Sequence, residues 1–397
     1  MYLKTLHLRS FRNYMNQQVE FDAQKTILVG NNAQGKSNLL EAVELLSTLK
    51  THRARRDRDL VKEGQTAAQI EANIKRIYGE AELAVTLRSQ GRRTVSLNKE
   101  NLRRHLDFLG ILNSVQFSSL DLELVRGAPE CRRSWVDALL VQLEPIYAHI
   151  LHQYYQVLRQ RNALLKTMRD GLEKRCAEGN RNYNLTSEHS YSSKIETISP
   201  QILQLKLWDE KLAETGSRVT RRRARVIERL APIARSWHAS ISSKTEVLEV
   251  KYAPNVNWLE DEPEKVQQAF LEKIEQRRIA EKNLGTTVVG PHRDEIELSI
   301  NNTPAKSYGS QGQQRTLVLA LKLAELKLIE EVIGEPPLLL LDDVLAELDL
   351  NRQNQLLDAI QDHFQTLITT THIGSFDAQW LQNSQILSVE AGNISSF

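Results

Sequence analysis

A phosphate-binding loop near the start of the chain lies about 270 residues before the other motifs that would complete a nucleotide site. The loop consists of Gly30, Asn31, Asn32, Ala33, Gln34, Gly35, Lys36 and Ser37, a full match to G-x-x-x-x-G-K-[ST]. The candidate partners lie in residues 310–315, 338–343 and 371–372. A site that uses all of them requires both chain ends to fold into one domain, so the segment between them is an insertion.

The composition is ordinary for a globular protein. Hydrophobic residues make up 41% and charged residues 26% of the 397 positions, which is enough chain for two or three domains. No apolar run approaches the roughly 18 residues of a membrane span. The first residues lack the charged-then-apolar layout of a secretory signal, so we expect a cytoplasmic protein with no membrane partner. Cys131 and Cys176 have no spacing typical of a zinc site or a disulfide framework.

The charge distribution points more clearly to nucleic acid than the net charge, which is only +2. One basic cluster comprises Lys50, Arg53, Arg55, Arg56 and Arg58. Another comprises Arg218, Arg221, Arg222, Arg225 and Arg229, which share one face of a helix at offsets of three or four residues. Such clusters can follow a phosphate backbone, but they can also be solvated faces, here paired with Glu210, Glu214 and Glu228.

The loop has the strand before it and the helix after it that a phosphate-binding loop needs. Residues 26–29 form a short apolar run, and Leu39, Leu40, Val43 and Leu46 recur at helical spacing. Residues 66–97 alternate in the manner of short strands. From about 128 to 285 long helical patterns dominate, and residues 170–193 interrupt them with a polar stretch typical of a mobile excursion.

The α/β pattern returns after residue 285. Residues 287–289, 295–300, 338–341, 367–371 and 386–389 are predicted strands, and 317–329 an amphipathic helix. The predicted fold is therefore α/β. Residues 1–112 and 286–397 would form a head from both chain ends, and residues 113–285 an inserted, mainly helical arm.

Residue chemistry assigns roles within the predicted site. Backbone N–H groups of the loop would surround a phosphate, Lys36 would bridge the β- and γ-phosphates, and Ser37 would bind Mg²⁺. Asp342 and Asp343 end a buried strand, where open α/β sheets bind ligands. Asp342 would hold the magnesium, while Asp343 would orient or deprotonate the attacking water. The alternative for Asp343 is a carboxylate in a surface turn.

Ser310, Gly312 and Gln313 precede the predicted helix at 317–329. A serine there is first of all an N-cap, but the same geometry offers N–H groups and a hydroxyl to a second phosphate, which could belong to another molecule's nucleotide. His372 follows the next predicted strand after Asp342, within reach of a γ-phosphate. A histidine at a strand end is otherwise an ordinary surface residue.

Several motifs together resemble the ABC-type ATPases and, within them, the SMC-like DNA-repair branch. These motifs are residues 6–14, the loop with 38–42, residues 51–60, the turn 290–294, the signature 308–315, and the acidic strand with its dimer loop, 341–349. Gln116 corresponds to the family glutamine that contacts Mg²⁺ and water. The resemblance spans nearly the whole chain except residues 170–193.

The resemblance implies an ABC-type head with an inserted arm, using ATP and Mg²⁺. ATP would join two copies, with each Ser310 capping the γ-phosphate held by the other copy's Lys36, and hydrolysis would release them. The homodimer would clamp DNA at single-strand–double-strand junctions of gapped duplex, and would help recombination mediator proteins load recombinase. A weak DNA-dependent ATPase follows, because Asp343 stands where transporters and full SMC proteins carry Glu.

Residues 50–58 are the preferred DNA contact because they lie close in sequence to the head. Two other classes remain as alternatives. An ABC transporter ATPase subunit normally has a much shorter helical insertion and needs a membrane partner. A chromosome-structuring SMC protein needs coiled-coil arms of hundreds of residues with sustained heptads, whereas about 160 residues separate the two lobes here. A small-molecule kinase is disfavoured by the signature and the dimer loop.

Overall fold

The computed structural model describes residues 1–51, 53–54, 56–179, 200–345, 348, 350–360, 363–376 and 378–397. Its strands, in chain order, are β1 (Tyr2–Phe11), β2 (Tyr14–Glu20), β3 (Lys25–Val29), β4 (Ala67–Arg76), β5 (Gly79–Arg88), β6 (Thr94–Leu97), β7 (Glu100–Asn101), β8 (Ser114–Ser118), β9 (Leu248–Ala253), β10 (Glu295–Ile300), β11 (Thr303–Pro304), β12 (Leu338–Asp342), β13 (Thr366–Thr370), β14 (Ser384–Glu390) and β15 (Asn393–Ser396).

The helices are α1 (Lys36–Thr48), α2 (Glu123–Arg126), α3 (Pro129–Leu143), α4 (Ile146–Gly179), α5 (Pro200–Ile241), α6 (Pro263–Leu284), α7 (Ala305–Tyr308), α8 (Gln311–Ile333), α9 (Leu350–Ile360) and α10 (Ala378–Gln382). No helix among the described residues is long and apolar enough to cross a membrane.

The chain divides into two compact units. The first unit comprises Met1–Ile146, Val226–Lys251 and Glu297–Phe397, and the second comprises Tyr147–Arg225 and Tyr252–Ile296. Both chain ends thus share one unit, as a split nucleotide site requires. The division differs from the predicted boundary at 113, because β8 pairs with β12 in a sheet of the first unit. A five-residue strand far in sequence from its partner gives no local sign of where it pairs.

Two six-stranded sheets lie in the first unit. Strands β2-β1-β4-β5-β6-β7 make an antiparallel sheet, and β15-β14-β3-β13-β12-β8 make a sheet whose strands β14 to β8 run parallel. Helix α1 shares one core with both: Leu39, Leu40 and Val43 are fully buried in the same cluster as Leu6 of β1 and Leu340 of β12. Each such side chain contributes about 1.5–3 kcal/mol by leaving water.

The parallel strands end at a common edge of their sheet. Val29 at the end of β3 is level with Thr370 of β13, and Asp342 at the end of β12 is level with Thr369. Asp342 is also level with Ser118 at the end of β8. The segments that follow these strands therefore begin side by side, at the carboxyl edge where α/β sheets bind ligands.

Buried ion pairs characterise the second unit. Arg161 is fully buried, and its guanidinium contacts Asp209 at 2.9 Å and Glu281 at 2.5 Å. Helix α4 continues to Gly179, so residues 170–179 are helical rather than part of the predicted excursion. The helix that begins at Ile146 thus extends into the polar stretch. Residues 180–193 of that excursion lie outside the described residues.

Residues 287–289 are not a strand, in contrast to the prediction. The backbone N–H of Thr287 donates to Oδ1 of Asn162 at 2.8 Å, and that of Val288 donates to Oε1 of Glu281 at 2.8 Å. Side chains thus take the hydrogen-bonding groups that a neighbouring strand would need. The β-branched composition that suggested a strand serves packing instead.

Candidate functional site

Two glycines let the loop at residues 30–37 pass very close to its neighbours. Gly35 has φ +119°, and a Cβ on it would lie 2.6 Å from Nδ2 of Asn13. A Cβ on Gly30 would lie 2.3 Å from the carbonyl oxygen of Val389. The Gly30 contact is with main chain and cannot be relieved locally, and at Gly35 the positive φ adds strain to a contact that Asn13 would have to leave, so both positions favour glycine.

Polar groups outside the loop hold its carbonyls. Nδ2 of Asn13 donates to the carbonyl of Gln34 at 2.7 Å, and the N–H of Gly392 donates to the same oxygen at 3.0 Å. The buried hydroxyl of Tyr14 donates to the carbonyl of Gly35 at 2.9 Å. Because these carbonyls are occupied, the main chain is fixed in one conformation before any ligand binds.

The donors of the loop are arranged for an anion. Within the described part of the chain, no acceptor contacts the backbone N–H groups of residues 31–37. These groups lie at the N-terminus of α1, where the helix dipole favours negative charge. Nζ of Lys36 donates to the carbonyls of Gly30 at 2.7 Å and Asn31 at 3.1 Å, so its ammonium lies against the loop. A phosphate group fits this arrangement.

Asp342 joins the loop to the edge of the sheet. Its Oδ1 accepts hydrogen bonds from the Ser37 hydroxyl at 2.6 Å and from the Thr369 hydroxyl at 2.8 Å. The predicted pair Ser37 and Asp342 is therefore in direct contact. A carboxylate and a hydroxyl oxygen are the hard ligands that Mg²⁺ prefers, and the donor set fits that ion.

Asp343 adopts an unusual backbone conformation beside this pair. Its φ is +53°, in the left-handed region, and its N–H donates to Oγ1 of Thr369 at 2.9 Å. Burial raises the pKa of its carboxyl, Lys36 opposes that rise, and Asp342 adds to it. A half-buried carboxylate with a raised pKa is typical of a general base. Of the dimer-loop motif that follows, Ala346, Glu347 and Asp349 lie outside the described residues.

Gln116 presents a side-chain amide with no partner. It lies on β8, level with Leu340 of β12, and both its Oε1 and its Nε2 are buried without a hydrogen bond among the described residues. A buried amide left unpaired is costly, which indicates a missing ligand or water. His372 is exposed directly after β13, where its N–H donates to Oγ1 of Thr370 at 3.2 Å.

The signature residues make their contacts elsewhere. Ser310 caps α8: its hydroxyl accepts from the N–H of Gln313 at 3.2 Å, and its own N–H donates to Oε1 of Gln313 at 2.8 Å. Nε2 of Gln313 donates to Oε1 of Glu246 at 2.8 Å. In the described chain, no hydrogen bond of Ser310, Gly312 or Gln313 reaches the loop, Asp342 or Asp343.

The basic segment at 50–58 is only partly neutralised. Arg53 donates from Nη1 to Oδ1 of Asn38 on α1 at 3.2 Å, and Arg58 lies 3.6 Å from a carboxylate oxygen of Asp59. The side chains of Lys50 and Arg56 are exposed and have no ion pair within the described residues. Arg55, another predicted DNA contact, lies outside those residues.

Three of the arginines predicted on the helical arm already have partners. Arg221 and Arg225 both form ion pairs with Asp261, the latter at 2.7 Å, and Nη1 of Arg222 donates to the carbonyl of Arg218 at 3.2 Å. A phosphate would have to compete with the Asp261 carboxylate for two of these guanidinium groups.

Sequence reasoning missed three residues that hold the site together. Thr369 donates to Asp342, Asn13 fixes the loop, and Glu246 binds Gln313. Thr369 could have been found, because it precedes His372 at the end of a predicted strand. Asn13 and Glu246 contact residues that are distant from them in sequence. Of the two, only Asn13 lies in a motif that the sequence singled out, at residues 6–14.

Comparisons with known proteins by sequence agree with one another. Residues 2–394 match the family described as RecF/RecN/SMC N terminal domain. The chain is 72% identical, over 100% of both chains, to the DNA replication and repair protein RecF of Gloeothece citriformis (strain PCC 7424). It is 71% identical, over 99% of both chains, to the protein of the same name from Rippkaea orientalis (strain PCC 8801 / RF-1).

Solved structures extend the comparison. The recombination mediator protein RecF-ATP in the RecFOR pathway is 30% identical, with a TM-score of 0.85, and the match covers 100% of this chain and 97% of that one. The Smc head domain derived from Pyrococcus furiosus is 17% identical with a TM-score of 0.52, covering 100% and 96%. The latter similarity concerns the fold alone.

Proposed function

The chain belongs to the RecF family of DNA replication and repair proteins, and from that premise we propose that it is an ATP-dependent DNA clamp acting in recombinational repair and replication restart. Its proposed cycle has two states. ATP joins two copies face to face around DNA, and slow hydrolysis separates them. The inserted helical arm would serve this head as an accessory domain.

One observation supports the proposal: the residues proposed to bind the nucleotide lie together, and among the described residues the signature serine has no hydrogen bond to them. Lys36, Ser37 and Asp342 are gathered at one sheet edge, with the unpaired Gln116 amide on the same sheet. Ser310 is an exposed N-cap, and its hydrogen bonds within the described part of the chain lie at the start of α8. A half-site of this kind is completed most simply by the Ser310 of a second copy.

The residues have distinct proposed roles toward MgATP. The loop N–H groups and Lys36 bind the phosphates, which takes Lys36 from its present carbonyl partners to a stronger, charged acceptor. Ser37, Asp342 and Gln116 would hold Mg²⁺, which supplies charge neutralisation at the phosphates. Asp343 accepts a proton from the attacking water, and His372 donates to the γ-phosphate.

Hydrolysis is proposed to be slow because of the length of one side chain. Asp343 is one methylene shorter than the Glu common in transporter subunits, and its left-handed backbone and hydrogen-bonded N–H fix where the carboxylate begins. A base held short of its optimal position transfers a proton less efficiently. Slow turnover suits a protein that remains on DNA until its work is complete.

The proposed substrate is gapped duplex at a single-strand–double-strand junction. The relatives carry the name DNA replication and repair protein RecF, and a similar structure is of a recombination mediator in the RecFOR pathway. We assign DNA contact first to the exposed Lys50 and Arg56, and we expect DNA to raise a weak ATPase rate. Recombination mediator proteins are the expected partners, in the cytoplasm.

Light scattering with ATP and with ADP tests the composite site. Wild-type protein should be a dimer with ATP and a monomer with ADP. Ser310→Arg should remain monomeric with ATP while still binding the nucleotide, because the arginine blocks only the face presented to the second copy. Ser89→Arg, which adds the same side chain at an exposed serine after β5, should dimerise normally. A Ser310→Arg protein that dimerises with ATP would overturn the proposal.

A further inference from the structure

The N-cap hydroxyl of Ser310 is oriented by Gln313. Because the Ser310 oxygen accepts from the N–H of Gln313, its own proton is free to be donated away from the helix. The Gln313 amide oxygen in turn accepts from the Ser310 N–H at 2.8 Å. This reciprocal pair fixes the turn that presents the serine, provided that the Gln313 amide keeps one orientation.

Glu246 reinforces that orientation from the other side of the amide. Its Oε1 accepts from Nε2 of Gln313 at 2.8 Å, so only one of the two flipped forms of the amide places oxygen toward Ser310. The terminal torsion of a glutamine is soft, so the Ser310 N–H and the Glu246 carboxylate together select this form, one from each side of the amide. A carboxylate acceptor makes this hydrogen bond about twice as strong as one between neutral groups.

The backbone around Glu246 is held firmly. The turn that leaves α5 has Ser243 at φ +53° and Lys244 at φ +61°, both in the left-handed region. The N–H of Val247 donates to Oδ1 of Asn301 at 2.8 Å, and the N–H of Asn301 donates back to the carbonyl of Val247 at 2.9 Å. Strained residues persist only where their surroundings impose the conformation.

The second oxygen of Glu246 faces a buried histidine. Nε2 of His238 lies 3.6 Å from Oε2 of Glu246, and the His238 side chain is fully buried at the end of α5. Glu246 itself is one-fifth exposed, so it is shielded on the side that faces α5 and directed at Gln313 on the other. Among the described residues, Glu246 makes no hydrogen bond to the loop at residues 30–37.

We infer that Glu246 is a positioning residue for the signature serine: through Gln313 it holds Ser310 in the orientation that a second copy's nucleotide requires. The inference rests on the proposed function, since it assigns a role to a residue that never contacts the phosphate. Loss of Glu246 should impair ATP-driven dimerisation and leave nucleotide binding by the single copy intact.

The experiment compares Glu246→Ala with Glu246→Gln and with a control, Glu249→Ala. Glu249 is a nearby carboxylate whose partners in the described chain are Lys251 and Ser299, away from the signature. Dimer dissociation constants are measured by light scattering at saturating ATP, and nucleotide affinity at protein concentrations where the wild type is monomeric. Glu246→Ala should weaken the dimer about 100-fold, because each of the two composite sites loses one hydrogen bond to a charged group, worth about tenfold per site.

Glu246→Gln keeps an acceptor oxygen and should recover most of the affinity, while Glu249→Ala should match the wild type. Gln313→Ala should weaken the dimer, and adding Glu246→Ala to it should cause no further loss, because both act through one path. Full additivity of the two, or wild-type dimerisation by a folded Glu246→Ala protein, would overturn the inference.

Ser310→Arg in the same series separates two kinds of failure. If it blocks dimerisation while Glu246→Ala has no effect, only the role of Glu246 is wrong. If Ser310→Arg itself dimerises with ATP, the composite site is wrong. A Glu246→Ala protein that loses nucleotide affinity as a monomer would point to a general structural role and would likewise overturn the inference.

Discussion

At the scale of single residues, Asp343 differs from the other groups at the sheet edge because it has no side-chain role in holding the loop. Its N–H binds Thr369, whereas the Ser37 and Asp342 side chains bind each other. Its carboxyl has the raised pKa that burial produces. A substitution of the Asp343 carboxyl should therefore affect hydrolysis without removing a contact that holds the loop.

Asp343→Asn should retain ATP binding and ATP-driven dimerisation and lose hydrolysis by at least about 100-fold, the typical contribution of a general base. The amide preserves the shape of the side chain but cannot take a proton. Phosphate release measured with DNA present gives the rate, and light scattering gives the dimer. Asp358→Asn, an exposed carboxylate on α9, serves as the control. Unchanged turnover in Asp343→Asn would assign the base to another group.

His238 should make stability depend on pH. Burial lowers the pKa of its imidazole, and Glu246 opposes only part of that effect. Below about pH 6.5 the unfolded chain, with an ordinary histidine pKa, binds a proton that the folded chain resists. The urea midpoint of the wild type should therefore fall as pH drops below 6.5 and stay level above it. His238→Phe should show a shallower fall, and an identical pH profile would contradict the assignment.

At the scale of elements, local pattern predicted the strand, loop and helix at residues 25–48 because each signal there is short-range. Helix α8 shows where pattern was insufficient. Residues 317–329 were predicted to be amphipathic, yet Lys322 and Glu325 are buried in an ion pair at 3.4 Å, and Nε1 of Trp135 donates to Glu325 at 3.1 Å. Charged residues on a helix look solvated until their partners, distant in sequence, are known.

Local pattern also predicted the residues proposed to bind the nucleotide but not the residues that position them. The glycines, Lys36, Ser37 and the acidic pair follow from spacing within motifs. Gln116 was named only through the family resemblance, and the Glu246 contact depends on which turns are neighbours, which no local pattern encodes. Sequence thus predicted the groups proposed to contact phosphate better than those that orient them.

Gly35→Ala should abolish ATP binding, because the loop cannot accept a Cβ. The left-handed φ alone costs about 1 kcal/mol, and the clash with Asn13 forces the loop or Asn13 to move. Gly334→Ala is a matched control: its φ is +78°, but a Cβ there meets nothing within 4 Å. The control should lose a little thermal stability and bind ATP normally, as measured by calorimetry. Normal ATP affinity in Gly35→Ala would mean that the loop is less constrained than its contacts indicate.

At the scale of the whole molecule, the insertion explains why a site shared by both ends of the chain is possible. Strand β3 from the start of the chain lies between β13 and β14 from its end, so segments from both ends meet at one sheet edge. The length of the insertion argued against a rod-like SMC arm, and the match to RecF proteins over the full chain favours the repair interpretation over a transporter subunit.

The distribution of paired charge bears on the proposed DNA contact. Lys50 and Arg56 are exposed and without ion pairs in the described chain, while Arg221 and Arg225 share the Asp261 carboxylate. A phosphate gains less from a guanidinium that must first leave a carboxylate. We therefore expect the double variant Lys50→Ala/Arg56→Ala to lose most of the ATP-dependent affinity for gapped duplex.

The comparison variant is Arg221→Ala/Arg225→Ala, which removes the same number of positive charges and should have a much smaller effect. Affinity measured by fluorescence anisotropy over a range of salt concentrations distinguishes true phosphate contacts, because each one lost lowers the slope of log affinity against log salt by about 1. A larger loss of slope in Arg221→Ala/Arg225→Ala would indicate that DNA contacts the helical arm instead of residues 50–58. Equal slopes in both variants and the wild type would exclude both clusters, since each phosphate contact must release counterions.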